Sequence, residues 1–217
     1  MTQDHAARVR GEALPKEKVA AFLSGGGTSP PRGAGNCATS HNTAAPARRH
    51  RQQRRWATQV LIADELARHA CAERGLPPPP ATLPPHRLTI PEPDVATLGS
   101  IIAAALTHSP AAQALLTDLE NEQHIPETAV RDYYDRNQDR FLTPDALRRG
   151  VDPYDAPAPS DIHPYEQVRH DIEGELRQAA AHRAFFTWLD KARADVEYAE
   201  GYEHPGDPTH QDHEHRH

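Results

Sequence analysis

The residues best suited to chemistry crowd the C-terminal end of the chain. His204, His210, His213, His215 and His217 are interleaved with Glu203, Asp207, Asp212 and Glu214. Imidazole nitrogen and carboxylate oxygen together suit zinc, nickel or copper. His213, His215 and His217 alternate, so they share one face of an extended chain. His204 and His210 can then close a site from the far side of the Pro205-Gly206 and Pro208 turns. The same composition also reads as a solvated tail that takes metal only weakly.

Two further groups stand out. Arg48, Arg49, Arg51, Arg54 and Arg55 form a basic cluster, which reads as a solvated face or as a contact for nucleic acid or an acidic client. Tyr133, Tyr134, Phe141, Phe185, Phe186 and Trp188 are half of the Phe, Trp and Tyr residues of the chain. They read as core, or as the wall of a groove between helices that takes a polypeptide. No nucleophile elbow, phosphate loop or zinc-protease motif is present, and Gly25-Gly26-Gly27-Thr28 lacks the lysine of a P-loop. The chain is therefore read as non-enzymatic, with no cofactor required.

Composition narrows the partners. The 217 residues carry a formal charge of -7, and mean hydropathy is -0.78. A mildly acidic chain is a poor general binder of nucleic acid, whose phosphates demand a basic surface. The longest apolar run, Ile101 to Leu106, is far too short to span a bilayer. The first residues contain no apolar stretch of signal-peptide type. Cys37 and Cys71 match no zinc or redox spacing. A cytoplasmic protein with reduced thiols, without nucleic-acid or membrane partners, is the expectation.

Helical periodicity supplies the elements that must position these groups. Val9-Arg10-Gly11-Glu12 reads as a short extended piece with a turn glycine, followed by a helix carrying Val19, Phe22 and Leu23. Residues 24–47 read as a flexible Gly/Pro-rich loop. Arg48 to Gly75 reads as a long helix with a stripe of Trp56, Val60, Ala63, Ala67 and Ala70. Arginines at a helix N-terminus oppose the macrodipole, which moves the expected start towards Trp56. Residues 77–93 form a proline-rich connector. A helix from Pro93-Asp94 is expected to bury Val95, Leu98, Ile102 and Leu106, and another follows Ser109-Pro110. Val130, Tyr133, Tyr134 and Phe141 come next, then a linker-like stretch over 142–164. The last helix spans Tyr165 to Val196, and residues 197–217 are the His-rich tail. With no alternating strand pattern in view, the expected fold is all-α, one helical domain over 8–196 closed by its last helix.

Four segments, in order, resemble a known family. Val9-Arg10-Gly11-Glu12 with Leu14 is similar to the entry of SurA-type N-terminal domains. RWATQVLIADELARHACAERGL is similar to their second long helix. HIPETAVRDYYDRNQDRF is similar to their Tyr-Tyr signature, here Tyr133, Tyr134, Asn137 and Phe141. PYEQVRHDIEGELRQAAAHRAFFTWLDKARADVE resembles the closing helix. The chain thus resembles the SurA/PrsA-type parvulin chaperones without the prolyl-isomerase domain, since residues 142–164 are too few for an independent domain of at least ~50 residues.

The resemblance implies a SurA-like module that grips unfolded or extended client polypeptide, with Tyr133, Tyr134, Phe141, Phe186 and Trp188 as binding residues. A metalloenzyme maturation factor that collects zinc, nickel or copper on its tail, and docks on its metalloenzyme, is the alternative. An isomerase with a degenerate site is a third reading.

Overall fold

The computed structural model describes residues 4–25, 44–77 and 90–206. Most of the expected 24–47 loop, most of the 77–93 connector, Cys37 and the tail beyond Gly206 lie outside the described residues. Among the described residues the fold is mostly helical, with eight α-helices and a three-stranded sheet. They divide into two compact units. One combines the chain up to Leu115 with the part from Phe186 onwards, and the other is Leu116–Phe185.

The first unit holds a feature that an all-α reading leaves out. Strand β1 (His5–Val9) turns through Arg10 and Gly11, at φ 50° and 85°, into β2 (Glu12–Pro15). Two successive positive φ values are what a two-residue hairpin turn needs to match strand twist. Ala7 pairs with Leu14 and Val9 with Glu12. On the other edge of β1, β3 (Glu197–Tyr198) adds antiparallel, and Ala199 N–H donates to Ala6 C=O at 2.9 Å. The two ends of the described chain therefore meet in one sheet. The strands escape a periodicity search because β1 buries the adjacent small residues Ala6 and Ala7 as well as Val9, so nothing alternates cleanly.

Helix α1 (Lys16–Gly25) follows Pro15 directly. Helix α2 runs Ala44–Glu73 and packs against α1 and β1. Its expected stripe of Trp56, Val60, Ala63, Ala67 and Ala70 is buried, and so are Leu61, Ile62 and Leu66. Burial continues almost all round the helix through Arg55, Thr58, Gln59 and Asp64, as a central helix requires. The helix begins earlier than the dipole argument placed it. With Ala44 first, the arginines fall beyond the opening turn, where the macrodipole has faded. Gly75, at φ 65°, terminates it as expected.

The single helix expected from Pro93 is two, α3 (Glu92–Leu98) and α4 (Ser100–His108). Gly99 separates them at φ 77° and ψ 157°, a backbone state open to glycine almost alone. The break shifts burial to Ile102, Ala103, Ala104 and Ala105 of α4, which packs on α2, and leaves α3 with no buried residue. Helix α5 (Pro110–Asn121) buries Ala111, Ala112, Leu115 and Leu119.

In the second unit, α6 (Glu127–Arg136), a 3₁₀ turn (Gln138–Phe141) and the first part of α8 (Tyr165–Ala192) gather around buried Val130, Tyr165 and Ile172, and α7 (Pro144–Arg149) follows the 3₁₀ turn in the chain. The linker-like stretch 142–164 is ordered. Thr143 caps α7 by accepting from Ala146 N–H at 3.3 Å, and Gly150 ends it in the left-handed conformation. Leu142 bridges Ile162, and buried Asp161 accepts from Ala158 N–H and binds Arg149. Proline content hid this order, which local caps and one buried carboxylate supply.

A candidate binding groove on the first unit

The groove is built by gripping the C-terminal turn onto α2. Two consecutive turns of that helix offer polar side chains to residues 198–203. Gln59 accepts from the Tyr198 hydroxyl at 3.3 Å. Arg55, only 4% exposed, donates from Nε to Glu203 Oε2 at 3.3 Å, and Glu203 Oε1 accepts from Gly201 N–H at 2.7 Å. Burial by itself would raise the Glu203 carboxyl, but the backbone N–H groups of Gly201 and Glu203 and the Arg55 guanidinium outweigh it and hold the group below its ordinary value. The turn thus presents Tyr202 against α1 and α2. Lys16 Nζ lies 5.6 Å and Arg54 Cζ 5.3 Å from the centre of its ring, within cation–π range.

Beside Tyr202 is a cavity of about 680 Å³ between α1 and the first turns of α2. Val19, Ala20, Leu23 and Ala47 supply apolar wall, Lys16, Arg51 and Arg54 supply cationic edge, and His50 lies beside them. Among the described residues no acidic side chain lines it. An apolar wall under several cations can hold an extended segment that carries both apolar and acidic side chains. The sequence exposed the arginines as a group but not their division of labour. Arg55 is a buried structural ion pair, whereas Arg51 and Arg54 face the cavity. Tyr202 gave no signal, because an aromatic residue outside a helix or long strand has no periodicity to assign it.

The aromatic residues expected as a polypeptide-binding set fall into both units. Tyr133, Tyr134 and Phe141 are half-buried around the Val130–Tyr165–Ile172 cluster of the second unit. The Tyr134 ring meets Phe141 at 5.0 Å and Tyr165 at 5.5 Å, and its hydroxyl donates to His163 C=O at 2.8 Å. Burial raises the pKa of that hydroxyl, with Arg131 opposing. Tyr133 lies under Arg140, 5.5 Å from its ring centre, and its hydroxyl bonds Glu175 at 3.4 Å. Phe186 and Trp188, both half-buried on α8, belong to the first unit.

Of the histidines proposed as metal ligands, His204 is engaged within the protein. Its Nδ1 accepts from Gly206 N–H at 3.0 Å, and its Nε2 lies 3.3 Å from Arg193 Nη1. His210, His213, His215 and His217 lie outside the described residues. Among the described residues no helix is long and apolar enough to cross a membrane. Comparison with models of protein families, with curated proteins and with solved structures finds no match.

Proposed function

We propose that this chain is a non-catalytic, chaperone-like polypeptide-binding factor whose groove takes an extended segment bearing apolar and acidic side chains. The observation that carries the reading is the cavity beside Tyr202, whose described lining has an aliphatic wall, the basic side chains Lys16, His50, Arg51 and Arg54, and no acid. The four sequence segments that resemble SurA/PrsA-type modules point the same way.

Polypeptide is favoured over nucleic acid on two grounds. The chain carries -7 overall, so phosphate-rich polymers meet long-range repulsion. Tyr202, the aromatic side chain in the groove, is 8% exposed and already in contact with Lys16 and Arg54, which leaves no platform for base stacking.

The test is fluorescence anisotropy with a labelled peptide of alternating leucine and glutamate. The peptide should bind, and Arg51→Glu should weaken it at least tenfold. A leucine–lysine peptide should bind far more weakly. Absence of binding, indifference to Arg51→Glu, or tighter binding of a single-stranded oligonucleotide overturns the reading. Suppression of light scattering by a heat-labile client, lost in the same variant, would extend it from peptide to unfolded protein.

A further inference from the structure

We infer that Glu12, Glu65 and His69 form a binding site for a divalent cation of the zinc class, made of residues other than those of the groove and other than the C-terminal histidines. Glu65 and His69 are one turn apart on α2, so their side chains rise from the same face. Glu12 enters from the first position of β2, immediately after the Arg10-Gly11 turn. One ligand atom from each of the three lies within 4.8 Å of the other two.

The local hydrogen bonding leaves the right atoms free for a cation. His69 Nε2 is shielded from solvent and makes no hydrogen bond, an expensive state for a buried polar atom. It faces Glu65 Oε1 at 3.9 Å. The other oxygen, Oε2, is held by Lys18 Nζ at 3.4 Å. Glu65 is therefore oriented by Lys18 through one oxygen while it offers the other to the imidazole side. Tetrahedral zinc, with ligand distances of about 2.0–2.2 Å, places its ligand atoms roughly 3.3 Å apart, so closure requires only small side-chain rotations.

Donor chemistry selects the ion. An imidazole with two carboxylates suits zinc and its transition-metal neighbours, whereas calcium and magnesium prefer all-oxygen sets. Three protein ligands leave the fourth tetrahedral position to water. The ion would also tie β2 to α2, two elements far apart in sequence, so its binding energy adds to the stability of the first unit.

The test uses the full-length chain with His210, His213, His215 and His217 changed to Ala, so that the tail does not compete. Calorimetric titration with zinc should show one equivalent bound and a rise in Tm. His69→Ala and Glu12→Gln should each weaken binding at least tenfold. Glu12 is exposed, so Glu12→Gln decides the matter if His69→Ala fails to fold. No zinc binding in the parent chain, or an affinity unchanged by Glu12→Gln, overturns the assignment. Neither result bears on peptide binding at the groove, which shares none of these residues.

Discussion

Ser109 Oγ donates to Asp64 Oδ1 at 2.6 Å, and both side chains are almost wholly shut off from water. The same Oγ accepts from Ala112 N–H at 3.0 Å, so one hydroxyl caps α5 and satisfies a carboxylate in the middle of α2. Arg68 binds the other Asp64 oxygen at 3.1 Å. Buried carboxylates persist only when their lone pairs are met. Ser109→Ala removes the cap and orphans Oδ1 together, and should cost about 1–3 kcal/mol by urea denaturation. Ser109→Thr, which keeps the hydroxyl, should lose less.

His108 predicts a pH response in the same unit. Its ring meets Phe22 edge-on at 4.8 Å. Burial lowers its pKa below the ordinary 6.5; nearby Asp64 opposes this, and Lys18 and Arg68 add to it. The unfolded chain then binds the proton more readily than the folded one. This contribution to stability is complete above about pH 6.5 and declines as pH falls from there to the lower folded value. The chain has 15 histidines, so the measurement is a comparison of slopes. Tm should fall less steeply on acidification through this window in His108→Gln than in the parent.

Glu203 predicts a second, more acidic step. Its folded pKa lies below the ordinary 4.5, so its contribution holds above that value and is lost as pH falls through the folded one. Glu203→Gln should remove that step. It should also loosen the 198–203 turn and weaken peptide binding through Tyr202, read by titrating the labelled peptide into the variant at pH 7.

Tyr134 separates packing from client contact. Tyr134→Phe deletes the hydroxyl that bonds His163 C=O and should cost about 1 kcal/mol. Tyr134→Ala also removes the ring from Phe141 and Tyr165. It should cost about 2–3 kcal/mol, below the ~3–5 of a fully buried aromatic. Peptide binding at the first-unit groove should survive Tyr134→Phe unchanged.

Much of the helical framework was legible without coordinates. Trp56, Val60, Ala63, Ala67 and Ala70 recur at helical steps, and Gly75 followed by prolines marks where α2 must stop. In α8, Tyr165 and Ile172 are two helical turns apart and both are buried on its inner side. Such patterns are local, because the spacing of apolar residues within one segment is enough to specify a helix and its inner face. The sequence by itself therefore determined a mostly helical chain with long helices at α2 and α8.

Tertiary structure decided what no single segment contains. The pairing of β1 with β3 joins Ala7 to Tyr198, and strands this short have no stability or signature apart from their partners. The break at Gly99 turns on a backbone angle, which composition does not express. Arg55 became structural and Arg51 a groove residue only when Glu203 arrived from the far end of the chain. Glu12, Glu65 and His69 are neighbours only after the hairpin packs on α2. Sites assembled from distant segments depend on where the chain closes, and that is a property of the whole packed unit.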